Sequence, residues 1–250
     1  MKIARCFGVN DYPGTGSDLS GCLSDVANWA ELLRNRGYNV ATRKNAFATG
    51  SNYLSALEEM VEKCNKAGHS RMVLQNSSHG TYVTDNDGDE ADGRDEALYL
   101  RGRHSLVTDD EIYSRLKLLR ADSLAVLICD SCFSGTMHRG RPAVMKSRFI
   151  LCPKHKRKIN SDSSMFQKTA DLPNVALLSA CAEGETAADA YISGRYNGAF
   201  SYYACGYLRA NQTADFKSFR RGIGSLLPNR KYSQTPQVLF HAQISEVEVL

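Results

Sequence analysis

Cys132 and His79 are the two side chains whose setting points to chemistry. Leu124-Ala-Val-Leu-Ile-Cys129 has the composition of a buried strand and runs straight into Asp130-Ser131-Cys132-Phe133-Ser134-Gly135, a turn-forming sequence. Met72-Val-Leu74 likewise leads into Asn76-Ser77-Ser78-His79-Gly80. A thiol and an imidazole therefore stand at the ends of two strands, and they face one another across a cleft if those strands are neighbours. A free thiol, with a pKa of about 8.5, is only a few per cent thiolate at neutral pH, so a thiol nucleophile needs a basic or cationic partner. The same imidazole then returns a proton to the leaving amine. Gly80 and Gly135 let the backbone approach a substrate carbonyl, and the N–H groups of Gly80 and Cys132 are the expected oxyanion donors. Alone, a Cys at a strand end is usually a small buried hydrophobe and a lone His is usually structural.

The elements that must position this pair follow from the apolar pattern. Ile3 to Val9, Tyr38 to Thr42, Arg71 to Gln75, Leu124 to Cys129 and Val175 to Ser179 are short apolar runs of the buried parallel type, and Gln237 to Phe240 is a last strand. Between them, Cys22 to Arg36, Asn52 to Cys64 and Asp109 to Leu119 carry apolar residues at helix spacing, the first ending at Gly37, a natural left-handed cap. Ala199 to Leu208 and Phe216 to Leu227 also read as helices. Alternating strands and helices imply a parallel sheet covered on both faces, with catalytic loops at the C-terminal strand ends.

At 250 residues, with 42% hydrophobic and 23% charged, the chain is sized for one globular domain and lacks the bias of disorder. No run approaches the roughly 18 apolar residues of a membrane span. Eight cysteines and an early apolar run broken by Lys2 and Arg5 fit a reducing cytoplasm better than a secreted disulfide scaffold, and Cys129, Cys181 and Cys205 read as buried and inert. The net charge of +4 is concentrated between His138 and Lys158, including Arg139, Arg141, Lys146, Arg148, Lys154, Lys156, Arg157 and Lys158. With no pattern of aromatics alternating with its cations and no recognised binding motif, that stretch reads as a solvated connection, not a nucleic-acid site. The periodicity fades from 137 to 172, so the domain divides into a larger part, 1–136, a basic linker, and a smaller part, 173–250.

A strand-borne S-H-G followed by a strand-borne D-S-C-x-S-G resembles the catalytic pair of the caspase clan, and the two residues stand 53 positions apart, close to the spacing of about 50 that caspases keep. The resemblance is nearest to the metacaspases and their bacterial relatives, the orthocaspases. It extends to Phe7-Gly-Val-Asn-Asp-Tyr12 with Leu19-Ser-Gly-Cys-Leu-Ser-Asp25, to the acidic stretch Asp87 to Leu98, and to Asn197-Gly-Ala-Phe200 and Gln234-Thr-Pro-Gln237. Phe133 departs from the pattern, standing where many metacaspases carry His. The resemblance implies an α/β/α sandwich around a mostly parallel six-stranded sheet with an antiparallel edge strand. It also implies a cysteine endopeptidase using His79 and Cys132, with no organic cofactor.

By the same resemblance, Cys22, Asp25, Ser77 and Asp130 line the pocket for the residue before the cleaved bond. Carboxylates there favour a cation and repel Asp, so protein or peptide substrates are expected to be cut after Arg or Lys. Outside the resemblance, a carboxylate such as Asp25 is explained equally by a helix first turn. Asp85 to Glu96 has the length of an EF-hand loop but carries Glu90 where that loop requires Gly. The family implies calcium at Asp95, Asp109 and Asp110 instead, while Thr136 to Arg139 lacks the further carboxylate expected after the nucleophile; activation by calcium and independence from it both stay open. Self-cleavage between Arg139 and Lys158 is a further expectation, as is a monomeric enzyme. The competing reading is a catalytically silent caspase-like binding or signalling module.

Overall fold

The computed structural model describes residues 1–84, 94–132, 145–150, 171–182, 185–230 and 232–250, and the side chains of all of these except 94, 95, 228 and 229. Its centre is a six-stranded sheet. In chain order the strands are β1 (Lys2–Gly8), β2 (Asn39–Lys44), β3 (Arg71–Ser77), β7 (Leu124–Asp130), β9 (Val175–Ser179) and β12 (Gln237–Phe240). They lie side by side as β12-β9-β7-β3-β1-β2, parallel except for β12, which pairs antiparallel with β9. This is the mostly parallel sheet with an antiparallel edge expected from the sequence.

Every residue of β7 is buried, which is why its sequence runs apolar without alternation: both of its faces are covered. On one face, Val126, Ile128, Ala4 and Cys6 pack with α1 (Cys22–Asn35), α4 (Ala199–Ala210) and α5 (Phe216–Asn229), through side chains such as Trp29, Phe200 and Phe219. On the other, Leu127, Ala125, Phe7 and Leu74 pack with α2 (Gly50–Ala67) and α3 (Asp109–Leu116), through Leu57, Met60 and Ile112. Helix ends follow local chemistry. Gly37 takes φ +79° after α1. The Thr49 hydroxyl accepts from the Asn52 N–H and starts α2 two residues ahead of the apolar pattern. Thr108 and Glu111 form a reciprocal capping box at the start of α3.

Two small sheets were not foreseen. β4 (His79–Thr84), β5 (Arg94–Tyr99) and β6 (Leu106–Thr108) form one antiparallel unit. β8 (Lys146–Ser147), β10 (Ala188–Ile192) and β11 (Arg195–Gly198) form the other. Strands of two to six residues with polar and apolar positions mixed leave too little periodicity to read. One consequence is that His79 opens β4 and does not close β3. Another concerns the basic stretch: among its described residues, Lys146 and Ser147 pair with β10, and Arg148 is completely buried. For 145–150, the expectation of a solvated connection gives way, because the guanidinium has carboxylate partners inside the protein. Among the described residues no helix is long and apolar enough to cross a membrane.

Candidate active site

The parallel neighbours β3 and β7 pair Asn76 with Cys129 and Ser77 with Asp130, so the segments that follow, carrying His79 and Cys132, leave the same edge of the sheet. Against this edge lies Arg148, and its surroundings define the site. The guanidinium Nη2 is 2.7 Å from Asp25 Oδ2 and 3.0 Å from Asp189 Oδ1, while Nη1 is 3.1 Å from Asp130 Oδ1. Nη1 also donates to the Asp130 carbonyl at 3.0 Å. Asp25 comes from the first turn of α1, Asp130 ends β7, and Asp189 lies in β10. Each carboxylate is held by backbone donors: Asp25 by the Gly198 N–H at 2.8 Å, Asp130 by the Ser201 N–H at 2.9 Å, and Asp189 by the Ser20 and Gly21 N–H groups at 2.7 and 2.8 Å. At Gly198 an added Cβ would collide with Asp130 and with the Arg148 guanidinium, so only glycine lets the backbone close this wall.

Three buried carboxylates face one cation. Burial pushes Asp25 up to about 7 against the opposing pull of Arg148, so this carboxyl sits near its midpoint at neutral pH. For Arg148, burial works against the charge, but the carboxylates Asp130, Asp25 and Asp189 hold its pKa well above the ordinary value. Cys22 is buried, and burial raises its thiol far above the ordinary range, so it stands neutral beside the cation. Ser77 is buried at the end of β3, where its hydroxyl accepts from the Gln75 amide at 2.8 Å.

The backbone of Arg148 is held as firmly as its side chain. Its carbonyl accepts from the Gly80 N–H at 2.8 Å and from the Cys132 N–H at 3.2 Å. Two donors converging on one carbonyl oxygen beside a thiol is the arrangement that stabilises a tetrahedral oxyanion. These are the two N–H groups singled out from the sequence.

His79 is placed by Tyr12. The Tyr12 hydroxyl accepts from the His79 N–H at 2.9 Å, and the two rings lie 4.7 Å apart. Nε2 lies 2.6 Å from the Ser17 carbonyl; a carbonyl only accepts, so Nε2 carries the hydrogen and Nδ1 the lone pair. Nδ1 is buried and has no hydrogen-bond partner. Burial pulls the imidazole below its ordinary value, with the Ser17 carbonyl and the Arg148 backbone pulling the other way. A neutral ring with a free lone pair is equipped to take a proton.

Burial alone would raise the Cys132 thiol, but hydrogen bonds from the Cys181 thiol and from the Ala187 and Arg148 backbones outweigh it and set the pKa below the ordinary value. The Ala187 N–H lies 2.6 Å from Sγ. Cys181 is buried as expected, and hydrogen bonding to Cys132 together with burial holds its own thiol protonated, its pKa far above the ordinary value.

Sequence reasoning missed Arg148 as a pocket occupant, Asp189, Ala187 and Cys181. The single carboxylate inside Ala187-Ala-Asp-Ala190 was a usable signal, since a lone charge in an apolar run must be paired if that run is buried. Of the residues expected to hold calcium, Asp109 is buried and Asp110 half-buried at the start of α3, and Asp95 lies in β5. Ala97 of β5 pairs with Thr108, so the strand bearing position 95 runs past that helix start. The described side chains contain no cluster of three or more metal-ligating groups; the side chain of Asp95, the acidic stretch 85–93, Phe133 and Thr136 to Arg139 lie outside them.

A family profile described as "Caspase domain" matches residues 1–247. Metacaspase-1 of Schizosaccharomyces pombe is 27% identical over 286 aligned positions, covering 95% of this chain and 66% of that protein. Metacaspase-1 of Pyricularia oryzae is 28% identical over 285 positions, covering 95% of this chain and 71% of its own length. The chain thus spans about two thirds of the length of these relatives. Among solved structures, a protein from Geobacter sulfurreducens superimposes with a TM-score of 0.71 at 22% identity, covering 98% of this chain and 96% of the other. Caspase-1 from Spodoptera frugiperda superimposes with a TM-score of 0.63 at 12% identity, covering 96% and 86%.

Proposed function

The chain belongs to the caspase-domain family of cysteine-type peptidases, and we propose that it is an endopeptidase that cuts after Arg or Lys with Cys132 as nucleophile and His79 as proton carrier. The observation that carries this reading is Arg148. Its side chain fills a pocket of three carboxylates while its carbonyl lies between the Gly80 and Cys132 N–H groups, the pose a peptide needs for cleavage at its own C-terminal side. An Asp in that pocket would meet only like charges.

In this mechanism Nδ1 of His79 takes the Cys132 proton, and the thiolate adds to the substrate carbonyl as the developing oxyanion is held by the two N–H groups. The C–N bond then breaks, the imidazolium delivers its proton to the leaving amine, and a thioester remains on Cys132. Water, deprotonated by the now neutral His79, hydrolyses that ester. The same geometry favours self-processing between Arg148 and Phe149, one bond within the basic stretch. Calcium belongs to the proposal as an activator: Asp95, Asp109 and Asp110 would hold it, and it would act by ordering the loops beside the cleft. The dyad itself needs no metal. All seven described cysteines are free, which supports a reducing, cytoplasmic setting, and we take the enzyme to act as a monomer.

Hydrolysis of an Arg-fluorophore peptide by wild type and Cys132→Ala, with calcium and with chelator, tests these claims together, alongside intact-mass measurement of both chains. Turnover confined to wild type is expected, with a break after Arg148 in that chain alone. Faster cleavage after Asp than after Arg overturns the specificity, and turnover unchanged by chelator overturns the calcium role.

A further inference from the structure

Residues 145–150 cross the whole cleft, so they report on both sides of the bond that follows Arg148. On the side before it, Ser147 and Lys146 pair antiparallel with Ala188 and Asp189 through the backbone, which is blind to side-chain type. Lys146 Nζ donates to the Asp18 carbonyl at the exposed rim, a contact of little discriminating power. Past the bond, the chain turns along β4. Gly80 donates to the Arg148 carbonyl at 2.8 Å and accepts from the Ile150 N–H at 3.1 Å, so Phe149 is clamped beside it. Side chains two apart in a strand share a face, and Tyr82 is two along from Gly80. Its ring stands 6.0 Å from that of Phe149 at 31°, and Phe149 also packs, half-buried, against the core.

We propose that Tyr82 lines an aromatic subsite for the residue immediately after the cleaved bond, so that the enzyme selects an aromatic side chain there; the inference rests on reading 148–150 as a peptide held in the cleft in the manner of a substrate. Ring pairs at such separations are favourable beyond the area they bury, enough for a preference of about tenfold once the burial of the side chain is added. A carboxylate in that position would lose the ring contact and be drawn from water beside the buried acidic pocket.

Internally quenched peptides with Arg followed by Phe, Ala or Asp, and Ile next in each, test the subsite. They are assayed on the whole chain and on its Arg148→Gln variant, whose own segment has lost its charged anchor and competes less for the cleft. The expected kcat/KM for Arg-Phe exceeds that for Arg-Ala by about tenfold, with Arg-Asp slowest. In Tyr82→Ala the Phe-to-Ala ratio falls to within about twofold, while Tyr82→Phe keeps it. Equal rates on Arg-Phe and Arg-Ala, or a ratio that survives Tyr82→Ala, overturn the subsite while leaving cleavage after Arg in place. Absence of cleavage after Arg in all three peptides overturns both.

Discussion

The strand Leu124–Asp130 and the pocket at its end are equally buried, yet they are buried for opposite reasons. Leu127 and Ile128 are 3% and 1% exposed among apolar neighbours on the two faces of the sheet, where any side chain of similar volume and polarity fits. At the end of the strand, Asp130 is completely excluded from water with Arg148, Asp25 and Asp189, and each charge is tolerated only because named partners stand within hydrogen-bond reach. The contrast separates stability from recognition. The apolar strand holds the fold by area, whereas the pocket holds four charged groups out of water by pairing them, an arrangement that the proposed specificity for Arg would use.

The comparison breaks most visibly if the strand is emptied. Leu127→Ala is expected to cost about 2–5 kcal/mol of unfolding free energy in a denaturant titration, because the cavity it leaves inside a close-packed sheet cannot collapse. The fraction that stays folded should keep its preference for Arg.

Asp130→Asn should do the reverse. The shape is retained, the charge opposite the guanidinium is lost, and kcat/KM on Arg peptides drops by about a hundredfold, with a much smaller change in melting temperature. Equal stability losses in Leu127→Ala and Asp130→Asn would erase the distinction between the two regions.

Acid should mimic that substitution in part. The Asp25 carboxyl is raised to about 7, so it is charged above that pH and neutral below it. KM for Arg peptides is therefore expected to rise as the pH falls toward 7 and to level off below it, where the carboxyl is protonated with or without the peptide, and Asp25→Asn should flatten that slope. Vacating the pocket removes the opposing pull of the cation, which leaves burial and the other two carboxylates to hold the proton even more firmly.

The smallest effect belongs to Cys181. Its thiol helps set the Cys132 pKa below the ordinary value, so Cys181→Ala should move the rising limb of the pH–activity curve to higher pH. The loss at acidic pH should be less than about tenfold, as befits one hydrogen bond. An unchanged limb would leave Ala187 and Arg148 as the donors that matter.

Most of the sheet was legible without coordinates. All six central strands and the five helices named from the pattern are present with ends shifted by a few residues, because apolar periodicity is a local property of the chain. That His79 and Cys132 leave the same edge of the sheet was legible as well, since each follows an apolar strand. The carboxylates Asp25 and Asp130 came from the resemblance to a known family, and the structure brings both onto one guanidinium.

What stayed hidden is what depends on distance along the chain. Arg148 reads as one cation among eight in a basic stretch, and Asp189 as a lone carboxylate among alanines; nothing local to either announces that they gather with Asp25, more than a hundred residues upstream. The residue types of the chain determined a parallel α/β sheet and a thiol and an imidazole at strand ends. Only the tertiary structure decided that a basic residue from the linker sits in the pocket, that Cys181 bears on the Cys132 thiol, and which nitrogen of His79 is free. Burial is a property of the assembled fold, and it is burial that turns scattered charges and thiols into one site.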